Sequence, residues 1–341
     1  MQHVLIVGGG IAGISLAHAL AKQGDGFTLI DDGKNACSSV AAGIVNPFSF
    51  RRTLLTWNAT PFFDEAYAFY KNLEEITCGR FCFDIQIKRV FSSIEEAVLW
   101  GERWQDPIFR KFMFPLTQDD EKSGPFGSGR VKGFWVNAKQ FIQKNHDFFD
   151  QQKTLRKEAF SIEEFDPVNN KYKGNTYSAV VFALGYRNKE VPFFKKIPVQ
   201  STKGEVLTIR WDNKDEETSI HRKVYALPVG SGLFKLGATY AWGDESVEIT
   251  TKATEELLDK FSLLTNDPVE VVFQEAGIRP TSPDRRPFIG RHQDFPGLYM
   301  FNGLGTKGYL TAPPLAKRFA DYFVNTSEED PQTKPYRFLQ S

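Results

Sequence analysis

The chain has 341 residues, 41% hydrophobic and 25% charged, with 42 Lys+Arg against 42 Asp+Glu. That length exceeds one small core and predicts two lobes or one large α/β domain, while the balanced charge argues against nucleic acid or an anionic membrane as the main partner. Three cysteines (Cys37, Cys78 and Cys82) and the lack of any apolar run of ~18 residues exclude a disulfide scaffold and a membrane helix, so a reducing, cytoplasmic setting is expected.

His3–Gly8, "HVLIVG", is a short β-branched run suited to a buried parallel strand. In Ile11–Gly24 the residues Ile11, Ile14, Leu16, Ala17 and Leu20 recur at helical spacing, and Gly24 ends the pattern. Phe27–Asp32 reads as a second strand. Between the first strand and the helix lies Gly8-x-Gly10-x-x-Gly13. Gly8 makes the tight turn, Gly10 lets the backbone approach a pyrophosphate, and Gly13 lets helix and strand pack closely. Ile11 and Ala12 open the helix, whose N-terminus supplies N–H groups and positive dipole to an anion. Asp31, 18 residues after Gly13, stands at the strand end where a carboxylate binds a ribose hydroxyl; Asp32 competes, and strand-end geometry favours Asp31. This order of elements predicts a dinucleotide site without separating FAD from NAD.

Residues 52–78 read as an amphipathic aromatic helix whose Phe/Tyr stripe is expected to be core. Residues 80–135 mix strand patterns such as "FDIQIKRVFS" with a helix near Ile94–Trp104 and end in the connector "KSGPFGSGRVKG". Cys78 and Cys82 have no nearby His, so no metal is expected. A helix follows at Ala138–Phe149 and a buried strand at Tyr177–Gly185. From 199 to 275 strands alternate, with a hairpin turn at Gly230-Ser231-Gly232. Ala276–Gly290, "AGIRPTSPDRRPFIG", has three arginines, three prolines and few apolar residues, so a stiff passage is expected there, not a core strand. The strand "GLYMFNG", a Gly-rich loop and a helix at Ala312–Val324 follow.

Five segments in order, Val4–Gly24, Cys37–Pro47 ("CSSVAAGIVNP"), Tyr177–Gly185, Val224–Tyr240 ("VYALPVGSGLFKLGATY") and the tail from Ala276 through "GLGTKGYLTAPPLA", give the chain its family likeness. It resembles the D-amino-acid oxidase and glycine oxidase family of FAD enzymes, which includes sarcosine oxidase relatives. The resemblance implies an α/β fold with an α+β second lobe. In it a Rossmann-like FAD-binding domain, from 1–50, 138–198 and 278–341, carries an inserted antiparallel-sheet substrate domain from 51–137 and 199–277.

By the same resemblance, Ser38, Ser39, Ala42, Gly43 and Ile44 run beside the FAD diphosphate and flavin, and Phe160, Ala183 and Gly185 add cofactor contacts. Gly303, Gly305, Thr306, Lys307, Gly308 and Tyr309 open the last helix towards the flavin pyrimidine, where donors stabilise negative charge. Lys307 either adds a positive charge there or caps a loop in solvent. FAD is expected to be non-covalent, because no cysteine follows Cys82.

Arg279 matches the family's substrate-carboxylate arginine and also borders the cofactor; a guanidinium offers a carboxylate two parallel hydrogen bonds. Tyr225 matches a tyrosine that helps hold the carboxylate, and Tyr240 is a candidate pocket wall. His221 is the one histidine singled out for test. Arg285 and Arg286 are expected to pair with Asp284 or nearby acids. The implied reaction oxidises the C–N bond of a small D-amino acid, glycine or sarcosine-like amine by hydride transfer to flavin N5. The products are an imine or 2-oxo acid and, with oxygen as acceptor, hydrogen peroxide. The alternatives are a dehydrogenase with another electron acceptor and a tRNA-modifying flavin oxidase.

Overall fold

The computed structural model of the chain describes residues 2–34, 37–212, 215–325 and 330–339. The first unit is β1 (His3–Val7), α1 (Ile11–Lys22) and β2 (Gly26–Ile30), as its pattern predicts. β1 is apolar at every buried position because it is covered on both faces. Val4 and Ile6 pack with α1, while Leu5 and Val7 join Phe182, Phe194 and Tyr172 on the other side.

The next elements are the two-residue strand β3 (Ile44–Val45), α2 (Ala59–Ile76), β4 (Cys82–Val90), β5 (Ser128–Val136), α3 (Ala138–Gln151), β6 (Leu155–Arg156) and β7 (Ala179–Phe182). Phe62 and Tyr70 of α2 are fully buried, so that stripe is core. Then come β8 (Gln200–Trp211), β9 (Thr218–His221), β10 (Tyr225–Gly230), β11 (Leu233–Gly237), β12 (Ala241–Trp242), α4 (Thr251–Phe261), β13 (Val269–Thr281), β14 (Phe288–Arg291), β15 (Leu298–Asn302) and α5 (Gly308–Asn325). The last helix starts four residues before the expected Ala312. Pro313 and Pro314 lie inside it, in the second turn, where each removes one i→i−4 hydrogen bond.

Among the described residues two large sheets dominate. One has the order β14-β15-β7-β1-β2-β6, parallel except where β14 meets β15. The three α/β pieces therefore do share one sheet. The other has nine strands in the order β12-β8-β11-β10-β9-β4-β5-β3, with β13 on the opposite edge of β8. It is antiparallel except for β9 beside β4. The region 80–135 supplies β4 and β5 to this sheet, between β9 and β3. Residues 44–45 and 278–281, at the edges of the expected domain division, are also strands of it.

The expectation for Ala276–Gly290 needs correction. Its first six residues complete β13, paired with β8 from Gln200↔Thr281 onwards, and Phe288–Gly290 begin β14. Two features hid the strand. Gly277 and Arg279 replace apolar residues on one face, and Pro280 is tolerated because β13 is an edge strand bonded only to β8. Asp284 also departs from expectation. Its ion-pair partner is Arg337 at 2.8 Å, whereas Arg286 bonds it only through its backbone N–H and lies over the Trp57 ring.

His18 on α1 is buried, bonded through Nε2 to Asn145 Oδ1 at 2.6 Å and ringed by Phe69, Phe148 and Phe149. Burial pushes its pKa down to about 4, against the opposing pull of Asn145. The unfolded chain takes up this proton near pH 6.5 and the folded chain only near 4, so stability is complete above 6.5 and is lost as pH falls through that window. The urea midpoint is expected to fall between pH 6.5 and 4, and to fall less in His18→Gln. An equal fall in that variant refutes the assignment.

Candidate cofactor and substrate site

The carboxyl ends of β1, β2 and β7 converge on the glycine turn. Gly8 has φ +113°, and a Cβ there would lie 2.4 Å from the Ala183 carbonyl oxygen. A Cβ on Gly13 would lie 1.9 Å from the Gly8 oxygen. Gly10, the N-cap of α1, gives the first turn no side-chain cap, and Ser38 Oγ accepts the Ile11 N–H at 3.1 Å, with Ala12 next in the turn. The turn has a partner that the sequence reading missed. Gly9 donates its N–H to Asp31 Oδ2 at 2.5 Å, and its carbonyl lies 2.8 Å from His146 Nε2. A side chain on Gly9 would meet both, so the third glycine in the run was the available signal.

Asp31 also accepts the Gly33 N–H at 2.7 Å. Asp32 is committed elsewhere, bonded by Arg187 Nη1 at 3.0 Å to both oxygens. Burial raises the Asp32 carboxyl, but the Lys34 N–H and Arg187 outweigh it and hold it below the ordinary value. Gly8, Asp31, Asp32, Phe160, Leu184 and Arg187 line an open cleft. A helix start with glycine at its N-cap, close-approach glycines and a carboxylate beside a cleft at the strand ends suit a dinucleotide.

Ser38 and Ser39 lie in a short helical turn, Cys37–Val40, held from below by Tyr309, whose hydroxyl donates to the Ser38 carbonyl at 2.7 Å. Ala42 gives its carbonyl to Trp135 Nε1 at 2.7 Å, and Gly43, φ +74°, presses against the Val136 carbonyl. Ile44 pairs with Trp135 in β3. The loop is therefore built onto the larger sheet. Gly185 accepts a hydrogen bond from Asn302 Nδ2 at 2.9 Å, next to Gly303. Gly305 has φ +56°, Thr306 is exposed and Gly308 starts α5. Lys307 does not cap a loop in solvent. Its ammonium donates to the Asn46 and Phe48 carbonyls at 2.8 and 3.0 Å, and burial lowers its pKa to about 8.

Arg279 stands on the face of the larger sheet that also carries Tyr225. Its Cα lies opposite Thr202, and its guanidinium occupies the space that a side chain on Gly204 would take, 2.0 Å from the position of a Cβ there. Nη1 donates to the Thr239 carbonyl at 3.2 Å, and the Tyr240 ring lies 4.6 Å from the guanidinium carbon. Among the described residues no carboxylate pairs with Arg279. Tyr225 similarly uses the space left by Gly237, 2.4 Å from its hydroxyl to the position of an added Cβ. Burial raises the Tyr225 pKa, and Arg279 is close enough for its charge to oppose that rise, so the phenol is a neutral donor. The His221 ring lies 5.9 Å from Tyr225, tilted by 39°, and is held uncharged by burial, with a pKa of about 3. Gly204 and Gly237 were missed; isolated glycines inside strand patterns mark such close approaches.

A family model described as FAD dependent oxidoreductase matches residues 3–322. Glycine oxidase of Bacillus subtilis is 26% identical over 94% of this chain and 92% of its own length. The tRNA 5-methylaminomethyl-2-thiouridine biosynthesis bifunctional protein of Leptospira interrogans is 24% identical over 92% of this chain, which spans about half of that relative (56%). The crystal structure of glycine oxidase from Geobacillus kaustophilus superposes with a TM-score of 0.81 at 20% identity, covering 99% of both chains. Among the described residues no helix is long and apolar enough to cross a membrane, and no His/Cys/Asp/Glu group suits a metal ion.

Proposed function

The chain belongs to the family of FAD-dependent oxidoreductases, and from that premise we propose that it oxidises the C–N bond of a small amine bearing a carboxylate. The observation that carries this reading is the Arg279 guanidinium, free of any acidic partner among the described residues and set in a niche made by Gly204 beside the neutral donor Tyr225. Such a fork fits a carboxylate with two hydrogen bonds and fixes its direction as well as its place. FAD, when bound, supplies the acceptor for the hydride.

The backbone at Gly10 and the start of α1 would receive the pyrophosphate, with Gly8 and Gly13 letting turn and helix pack closely, Asp31 at the ribose and the Ser38–Ile44 loop alongside. Lys307, fixed by two carbonyls, keeps a cation near the start of α5. Tyr225 and His221 are both uncharged at neutral pH, so the substrate nitrogen gives up its proton to water before reaction and the sheet contributes position. A second reading rests on the relatives named for tRNA biosynthesis: an amine carried on a modified uridine.

The test is anaerobic. The yellow protein is mixed with glycine, sarcosine, D-alanine and D-proline, and separately with tRNA bearing amine-modified uridine. Bleaching by one of the free amines is expected. Bleaching by tRNA alone transfers the proposal to the second reading, and no bleaching, or no bound FAD, refutes it. Peroxide on admitting air separates oxidase from dehydrogenase.

A further inference from the structure

Residues 330–339 run along the outer edge of β14. The Ile289 N–H donates to the Thr333 carbonyl at 2.8 Å, and Thr333 is buried. Gln332 Oε1 accepts the Trp57 indole N–H at 3.1 Å, which ties this stretch to the chain just ahead of α2. Its centre is Arg337, where every N–H of the guanidinium has an acceptor. Nε and Nη2 grip Asp284 Oδ2 and Oδ1 at 2.9 and 2.8 Å. Nη2 also donates to the Arg286 carbonyl at 2.8 Å, and Nη1 to the Pro287 and Lys334 carbonyls at 3.1 and 2.9 Å. The guanidinium carbon stands 4.2 Å from the centre of the Phe288 ring.

Asp284, Arg286, Pro287 and Phe288 all belong to the passage from β13 to β14. That passage is shaped as well as held. Arg285 has φ +61°, a conformation that a residue with a side chain keeps only where its surroundings impose it. Its N–H donates to the Ser282 carbonyl at 3.2 Å, and Asp284 Oδ1 accepts the Arg286 N–H at 3.0 Å. Both ends of the passage meet the loop that leads into α5. A Cβ on Gly305 would lie 3.6 Å from Thr281 Cγ2, and one on Gly303 would lie 2.8 Å from Phe288 Cδ2 and 3.4 Å from the Phe288 backbone N. Lys307 pins the far end of the same loop to the Asn46 and Phe48 carbonyls.

We propose that Arg337 is a positioning residue for the cofactor. By fixing Asp284 and the backbone at 286–287 it sets Phe288, and Phe288 sets Gly303 and the loop 303–307. The arginine thus acts on the flavin through the passage and not by contact. The inference rests on the assignment of loop 303–307 to the flavin.

The test dilutes the flavin-loaded protein stepwise and reads released FAD by its fluorescence, which gives the Kd. Arg337→Ala is expected to raise the Kd about tenfold, the scale of effects carried through intervening residues. Arg337→Lys keeps the charge without the fork and should recover part of the loss. The control is Arg130→Ala, which breaks another arginine–aspartate pair, at 3.1 Å from Asp120. It should lower Tm without moving the Kd; a Kd raised as much there as in Arg337→Ala overturns the inference. Should Arg337→Ala fail to fold, Asp284→Asn leaves the carbonyl contacts in place and should raise the Kd by a smaller factor. Gly303→Ala tests the loop itself. If it raises the Kd while the Arg337 and Asp284 variants leave it unchanged, the inference falls alone. If none of these variants moves the Kd, the assignment of the loop to the flavin falls with it.

Discussion

Arg279→Ala is expected to lower kcat/KM for the carboxylate amine by two to three powers of ten with flavin content unchanged. Losing a desolvated, charge-assisted pair costs about 3–4 kcal/mol, at 1.4 kcal/mol per factor of ten. Arg279→Lys keeps the charge without the planar fork and should recover only part of the loss. Gly204→Ala makes the same point without touching the arginine. Its Cβ would sit 2.0 Å from the guanidinium, so the flexible head must move while the strand remains. A displacement of this size costs on the order of 10²-fold where geometry sets the rate. Wild-type kinetics in Arg279→Ala would remove Arg279 from the substrate site, and wild-type kinetics in Gly204→Ala would show that the guanidinium acts from another position.

Gly13→Ala should lose the flavin altogether. The new Cβ would lie 1.9 Å from the Gly8 backbone oxygen, which cannot swing away as a side chain does. Forcing α1 off β1 costs about 1–3 kcal/mol, and a ligand that no longer binds withdraws up to about 4 kcal/mol of linked stability at a thousandfold excess over its Kd. The expected result is a colourless protein with Tm lowered on the order of 10 °C, unresponsive to added FAD. Yellow protein of unchanged Tm would disprove the assignment.

The nucleotide-binding half was legible because its signals are local. Strand, turn, helix and acid follow one another within 32 residues, and each glycine answers a close approach in the folded chain. The larger sheet was less legible, because its pairings are long-range. β9 lies beside β4 from more than a hundred residues earlier, and β3 beside β5 across about ninety. Arg279 stood out through its motif, yet the strand that carries it was misread, since arginine, glycine and proline on an edge strand break the alternation that identifies strands. The fates of Asp32, Lys307 and Asp284 depended on Arg187, two backbone carbonyls and Arg337. None of these partners is within ten residues in sequence, so composition alone cannot assign them.

β8 runs through the centre of this arrangement, and its pleat divides labour residue by residue. Thr202 and Gly204 present one face to Arg279, while Lys203 and Glu205 turn the other way to hold Asp244 and Thr250. Seating of Arg279 and anchorage of the loop are thus interleaved on one ribbon but insulated from each other by its plane. Changes at even positions act on the seat of Arg279, and changes at odd positions on how firmly the segment after Thr239 is held. A single-residue deletion between Gln200 and Thr202 would exchange the two roles at once.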